Sequence, residues 1–185
     1  MKWIITILAL TAIFFGIPSF GTQPSLAIPT ETTQAPHFPT LKASSLAEHE
    51  FDLPSGFEGE RNLVLIAFER KQQSDLDTWL KEMKRFEELD PQFHYYEMPT
   101  IERPNAFMRW FIDTGMRRGI SDHKARASTI TLYVEKKPFC DALAITNQNQ
   151  VHAFLVNREG KVLWKSEGRF DESKAASLRN ALGAQ

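Results

Sequence analysis

An uninterrupted apolar run at residues 63–68 constrains the fold of this chain more than any other feature. A strand with one solvated face alternates apolar and polar residues, whereas a continuous run of this length is typical of a strand buried on both faces. The polar segment 69–73 follows, and Ser74 or Asp75 is predicted to cap a helix that ends before Pro91. One apolar stripe marks the buried side of that helix: Leu76, Trp79, Leu80, Met83 and Phe86.

A second amphipathic helix is predicted over residues 105–117, stopped by Gly119. Its expected buried side is formed by Phe107, Trp110, Phe111 and Met116. Because each lies on an apolar periodic stripe, Trp79, Trp110 and Trp164 are all interpreted as core residues.

The remaining elements complete an alternation of strands and helices. Strands are predicted at 93–98, closed by Pro99, at 129–134, and in a hairpin formed by 151–156 and 161–165 around Gly160. Short segments at 38–41 and 51–54 indicate an N-terminal hairpin or two edge strands, and further helices are predicted at 138–143 and 172–182. The order β, β, α, β, α, β, short α, β, β, α predicts an α/β protein with a mixed central sheet and helices on both faces.

The N-terminal residues indicate export. Lys2 precedes an uncharged apolar run at 3–17, which is shorter than the ~20 residues of a membrane-spanning helix and fits the apolar region of a signal peptide. We predict a cleavable signal peptide at 1–27, a Pro/Thr-rich disordered linker at 28–37, a folded domain at 38–185, and a periplasmic or secreted location. An uncleaved N-terminal anchor is the alternative.

Charge and cysteine content limit the classes of partner and chemistry. The chain has a net charge of −1, or −2 without Lys2, and a nucleic-acid partner would require a strongly basic domain. Membrane contact is expected to be peripheral at most. Cys140 is the only cysteine, so an internal disulfide is impossible, and a buried, inert thiol between apolar neighbours is the favoured interpretation.

The element order and the segment 154–164, Phe-Leu-Val-Asn-Arg-Glu-Gly-Lys-Val-Leu-Trp, resemble the thioredoxin-like superfamily. The resemblance implies a three-layer fold, and Phe38, Pro39 and Leu53-Pro54 resemble a peroxiredoxin-type N-terminal extension. Within the superfamily, residues 115–117, Arg126, 129–133 and 162–164 are similar to the mitochondrial ATP synthase assembly-factor family and to a bacterial group of exported proteins.

The redox signatures of the superfamily are missing. Thioredoxins carry Cys-x-x-Cys, and peroxiredoxins a nucleophilic cysteine, between the first central strand and its helix, where the helix N-terminus lowers the thiol pKa. Residues 70–75 occupy that place here and read Arg-Lys-Gln-Gln-Ser-Asp. The superfamily's cis-proline precedes the last hairpin, and residues 148–152 contain no proline.

Two groups of polar residues are candidate binding sites. The first is the loop that replaces the redox motif, where free N–H groups of a helix N-terminus would accept an anion: Arg70, Lys71, Gln72 and Gln73. The second is a basic cluster suited to docking acidic groups of a partner: Arg109, Arg117, Arg118, Lys124 and Arg126. Each has a plain alternative, a solvated loop in the first case and helix-end cations paired with Asp113 and Asp122 in the second.

No cofactor and no metal are predicted, since none of the five histidines has metal-site spacing. The function predicted from the sequence is that of an exported, non-catalytic thioredoxin-like protein that binds a protein partner, as an assembly or chaperone-like factor for a membrane complex. One alternative is a thiol-dependent peroxidase or oxidoreductase that uses Cys140. A third hypothesis is a small-ligand binder that uses the loop at 70–73.

Overall fold

The computed structural model describes residues 35–183, so the predicted signal peptide at 1–27 and residues 28–34 of the predicted linker lie outside the described residues. The N-terminal strands are β1 (Leu41–Ser44) and β2 (Glu50–Leu53), followed by β3 (Arg61–Ala67), the 3₁₀ turn Arg70–Gln72, α1 (Gln73–Leu89) and β4 (Phe93–Glu102). The chain continues with α2 (Ala106–Gly119), α3 (His123–Ser128), β5 (Leu132–Val134) and α4 (Lys136–Ala142). It ends with β6 (His152–Val156), β7 (Val162–Glu167) and α5 (Glu172–Gly183).

A mixed five-stranded sheet organises the domain, in the order β5-β4-β3-β6-β7. Strand β4 runs parallel to both β3 and β5, whereas β6 is antiparallel to β3 and to β7. The apolar run predicted as the central strand forms β3, and Leu63, Val64, Leu65 and Ile66 are fully buried. The mixed sheet with covered faces was correctly predicted.

Two hydrophobic cores fill the two faces of the sheet. On one face, α1 and α5 cover β3 and β6, with Trp79, Met83 and Leu178 fully buried. On the other face, the antiparallel hairpin β1–β2 and helix α4 provide the cover, through residues such as Phe51, Leu53 and Phe139. The predicted N-terminal hairpin is therefore a structural layer of the domain.

Two predicted element ends were wrong. Neither Ser74 nor Asp75 caps α1, because the 3₁₀ turn at Arg70–Gln72 already brings the chain into the helix at Gln73. Strand β4 does not end at Pro99, which is its last residue paired with β3; from Thr100 onward β4 pairs with β5 instead. A proline is tolerated there, where the pairing changes and its missing N–H is not needed.

The largest correction concerns α2. Its predicted boundaries are close to the observed ones, and the side chain of Asn105 caps it by accepting a hydrogen bond from Met108 N at 2.9 Å. The side predicted to be buried is nevertheless exposed, with Phe107 71%, Trp110 60% and Phe111 62% accessible. The interpretation of Trp110 as a core residue was therefore wrong, whereas Trp79 is fully buried and Trp164 partly so.

Within residues 35–183, none of the helices combines the length and the apolar character needed to cross a membrane.

Candidate functional site

The loop between β3 and α1 lies where the superfamily carries its redox cysteines. Arg70, Lys71 and Gln73 are exposed there, and Lys71 Nζ pairs with the carboxylate of Glu69 at 2.8 Å. Gln72 is different, because it is 3% exposed. The four candidate residues of this loop are adjacent in the structure but do not form one accessible surface.

Gln72 has a structural role in the loop. Its Oε1 accepts hydrogen bonds from Phe68 N at 2.7 Å and from Glu69 N at 3.1 Å. Its Nε2 donates to the carbonyl of Gln148 at 2.7 Å, which ties the loop to the segment before β6. The two N–H groups that Gln72 binds precede the helical turn that begins at Arg70, so these bonds order the loop, and anion binding at the helix N-terminus stays a prediction.

Cys140 lies on α4, 4% exposed, in the core under the N-terminal hairpin. Burial raises the pKa of its thiol, and the neighbouring Asp141 carboxylate acts in the same direction. A raised thiol pKa lowers the fraction of thiolate, the form that attacks disulfides and peroxides. Burial and the raised pKa therefore both favour the protonated thiol form of Cys140 in the folded protein.

One contact connects Cys140 to the loop at 70–73. The side chain amide of Gln148 approaches Cys140 Sγ at 3.6 Å, while the Gln148 carbonyl accepts from Gln72. This connection was not predicted from the sequence, because Gln148 is separated from the loop by more than 70 residues. Gln148 therefore contacts both the thiol of Cys140 and the loop that replaces the redox motif.

The predicted basic cluster is divided between different neighbours. Arg109 lies over the ring of Tyr133, with 4.8 Å from its guanidinium carbon to the ring centre. Arg117 pairs with Glu48, and Lys124 with Glu87 at 2.8 Å. Arg118 is exposed, and Arg126 is half-buried with an Nε that has no hydrogen-bond partner within the described residues.

The predicted pairing of Asp113 and Asp122 with the arginines was wrong. Asp113 Oδ1 instead accepts from the Tyr133 hydroxyl at 2.8 Å, and Asp122 caps α3 by accepting from Ala125 N at 2.6 Å. The pKa of Tyr133 is raised, first by burial and then by this bond to a carboxylate. Arg109, Asp113 and Tyr133 thus form a polar contact between α2 and β5.

A polar cleft of about 260 Å³ opens beside this contact. An antiparallel β-bridge between Ser45 and Ile130 joins the end of β1 to the segment that leads into β5. Beyond this β-bridge, residues of β1 and β5 line opposite walls of the cleft. Its walls bear charges of both signs and one phenol: Lys42, Glu50, Asp52, Arg109, Asp113 and Tyr133. Sequence reasoning found Arg109 and Asp113 but missed the cleft, because the hairpin that forms one wall is more than 50 residues away in the chain.

Glu97 is a second polar residue that sequence reasoning did not select. It is 8% exposed on β4, and its only side-chain partner within residues 35–183 is Gln73 Nε2 at 3.4 Å. Burial raises the pKa of its carboxyl, and the charge of Asp77 adds to the effect. An acidic residue between Tyr96 and Met98, in the middle of a predicted strand, was the available signal.

Metal coordination finds no support in the described part of the chain, where no three His, Cys, Asp or Glu side chains converge.

Comparison with known proteins defines the fold. No protein-family model matches the chain, and no curated protein sequence matches it significantly. Solved structures do match: the thioredoxin domain of a thiol-disulfide oxidoreductase from Bacteroides vulgatus is 17% identical, with a TM-score of 0.51 over 78% of this chain and 95% of that one.

Two further structures have the same architecture. BsSco, a member of the Sco family of cytochrome c oxidase assembly proteins, is 11% identical with a TM-score of 0.52 over 82% of this chain and 96% of that one. The exposed lipoprotein thioredoxin of Streptococcus pneumoniae is 10% identical with a TM-score of 0.50 over 78% of this chain and 99% of that one. The chain therefore has a thioredoxin-like α/β fold, the fold of thiol-disulfide oxidoreductases.

Proposed function

We propose that this protein is an exported, redox-inactive thioredoxin-like module that binds a protein partner. The observation that carries the proposal is the state of the site where the fold's oxidoreductases react: a buried, hydrogen-bonded Gln72 stands in the loop, and the only thiol of the chain is buried with a raised pKa. A protein of this fold without the nucleophile still presents the surfaces of the fold, which can bind another protein.

The cleft between β1 and β5 is the proposed contact for the partner. Its volume of about 260 Å³ is small for a site that encloses a ligand, which is typically about 300–1,000 Å³. Its open shape and its charges of both signs suit side chains of an extended protein segment better. Arg109 supplies a planar donor group at one wall, and Lys42, whose ammonium pairs with Asp52 at 2.5 Å, a cation at the other.

An assembly or chaperone-like role for a membrane complex is the finer proposal. The similarity of residues 115–117, Arg126 and 129–133 to the ATP synthase assembly-factor family supports it. BsSco, which has the same fold, is described as a member of a family of cytochrome c oxidase assembly proteins.

The first test separates binding from redox chemistry. Cys140 is expected to react with a thiol reagent only in denaturant, with a native-state rate at least about 100-fold lower, because reaction requires the core to open. Disulfide or peroxide reduction that is lost in Cys140→Ser would establish the redox alternative and overturn the proposal.

The second test locates the partner contact. A photo-crosslinking residue at Ser44, in the wall of the cleft, is expected to capture a defined protein, and the same residue at the exposed Lys84 on α1 is the matched control. Arg109→Ala should weaken the capture at position 44. Identical adducts at both positions, or none, would contradict the assignment of the cleft.

A further inference from the structure

Helix α2 carries an apolar surface that the rest of the described domain leaves uncovered. Four of the five large apolar side chains that are exposed in residues 35–183 belong to it: Phe107, Met108, Trp110 and Phe111. Their exposed fractions are 71%, 44%, 60% and 62%. Three aromatic side chains of about 200 Å² each leave roughly 400 Å² of apolar surface in water, as much as the largest patch of a typical monomer.

The helix is attached to the domain by its polar side. Asp113 bonds to Tyr133, Arg109 lies over the same ring, Arg117 pairs with Glu48, and Met116 Sδ is 3.7 Å from the hydroxyl of Thr131. The cleft lined by Arg109 and Asp113 opens on this inner side and includes none of the exposed aromatic residues. The outer side therefore projects as a convex ridge of aromatic rings.

The surroundings of this ridge are basic. Residues 103–126 contain six basic and two acidic side chains, although the chain as a whole has a net charge of −1. The two acids are both engaged, Asp113 with Tyr133 and Asp122 with the start of α3. Arg103, just before the helix, and Arg118, in its last turn, are exposed and form no ion pair within the described residues.

The positions of the arginines match the aromatic side of the helix. Arg118 follows Phe107 by 11 residues, which is three helical turns, so both lie on the same face together with Phe111. A helix that presents aromatic rings on one face with arginines at its ends is typical of segments that lie in the interface of a bilayer.

We propose that α2 docks the protein on a bilayer that contains anionic lipids. Phe107, Trp110 and Phe111 enter the headgroup and upper acyl region, with the helix axis in the plane of the membrane. Arg103 and Arg118 contact lipid phosphates on either side. This inference is independent of the protein partner proposed above, because the cleft lies on the other side of α2.

Charge disfavours a second copy of this chain as the occupant. In a two-fold symmetric contact, each basic surface would face its own equivalent, so that like charges oppose each other. The patch of roughly 400 Å² is also about half of the ~800 Å² that each partner of a stable interface buries. An anionic bilayer, in contrast, offers opposite charge and an apolar layer at the depth of the aromatic rings.

The test uses a fluorophore placed on α2 of the full chain. Gly115 lies on α2 with open space around its Cα, so Gly115→Cys in a Cys140→Ser background can carry an environment-sensitive dye. The same dye at Lys84→Cys on α1 is the control position. The probes are vesicles of phosphatidylcholine alone and vesicles with 30% phosphatidylglycerol.

A blue shift at position 115 and none at position 84, with the phosphatidylglycerol vesicles, is the expected result. Because each basic residue near an anionic surface contributes a several-fold increase in affinity, Arg103→Gln with Arg118→Gln should lower the apparent affinity about 25-fold. Replacing Phe107, Trp110 and Phe111 by serine should abolish the shift. Since the dye reports α2 itself, attachment through another segment of the chain does not imitate this result.

Four outcomes would overturn the proposal. The shift could be absent, or it could be equal with neutral vesicles and insensitive to the arginine and serine variants. It could also appear without lipid as the protein concentration rises, which would establish self-association, or only after addition of a protein partner. Far-ultraviolet circular dichroism and a urea midpoint that match those of the parent protein confirm that the variants are folded.

Discussion

Helices α1 and α2 have the same kind of sequence pattern, but the apolar stripe is buried in α1 and exposed in α2. Both carry aromatic and aliphatic residues at helical spacing, and in both the stripe includes a tryptophan. In α1 the stripe is core, with Leu76, Trp79 and Met83 at 0% exposure and Phe86 at 1%. In α2 the corresponding rings are 60–71% exposed at Trp110 and Phe107, and no residue of the helix is buried.

The difference is explained by which surfaces of the sheet are still free. Helix α1 connects the parallel strands β3 and β4 and packs, together with α5, on one face of the sheet. The opposite face is already filled by the N-terminal hairpin and α4, through Phe51, Leu53 and Phe139. Helix α2 therefore meets the edge strand β5 and the hairpin at their polar side chains. Periodicity predicts that an apolar stripe exists, but the rest of the fold decides whether it is buried.

The largest expected effect distinguishes the two tryptophans. Trp79→Ala should lower the free energy of unfolding by about 3–5 kcal/mol, because it leaves a large cavity and removes the bond from Nε1 to the Gly168 carbonyl at 2.9 Å. Trp110→Ala, its matched control on α2, should change it by less than about 0.5 kcal/mol. Urea denaturation followed by circular dichroism measures both. Similar losses for the two variants would mean that α2 is buried against the domain in solution.

The second prediction concerns the local stability of the two helices. Since α2 is held mainly by polar contacts, its amide hydrogens should exchange through openings that cost less than those of α1 by about 2 kcal/mol or more. Tyr133→Phe removes the bond to Asp113 and should lower the opening free energy of α2 by a further ~1 kcal/mol, with little change in α1. Hydrogen exchange measured by mass spectrometry resolves both helices. Equal protection in α1 and α2 would contradict the comparison.

Elements whose signal lies in neighbouring residues were predicted correctly from the sequence, whereas features set by distant contacts were not. The apolar run of β3, the stripe of α1 and the final hairpin are set by neighbouring residues, and each was found within a few positions of its place. The end of β4 was misplaced at Pro99, because the change of pairing from β3 to β5 is a property of the sheet.

The candidate site depended more on distant contacts. Arg70 and Lys71 are on the surface as their sequence suggests, but the burial of Gln72 depends on its bond to the Gln148 carbonyl, 76 residues away. The contact of Asp113 with Tyr133, and the cleft next to it, depend on the position of the N-terminal hairpin. Such contacts leave no periodic trace in the sequence, so only the types of residue were available for prediction.

The smallest expected effect comes from the buried carboxyl group next to α1, which is compared with the half-buried carboxyl group on α2. Glu97 is buried next to Gln73 at the start of α1, whereas Asp113 on α2 is half-buried and bound to a phenol. Because burial raises the pKa of Glu97 in the folded state, the folded protein binds a proton more readily than the unfolded chain there. The stability that depends on this proton is present at low pH and is lost as the pH rises through the folded-state pKa.

Glu97→Gln removes the cost of a buried negative charge and keeps an oxygen that can accept from Gln73. At pH 8 it should raise the free energy of unfolding by about 0.5–1 kcal/mol, and the gain should disappear as the pH falls and the wild-type carboxyl becomes protonated. Glu88→Gln, at an exposed position of the same helix that covers Glu97, is the control and should be neutral at both pH values. Urea titrations at pH 8 and pH 4.5 measure the difference. A gain that does not depend on pH would show that Glu97 binds protons equally in the folded and the unfolded state, which would contradict the raised pKa that burial beside α1 produces.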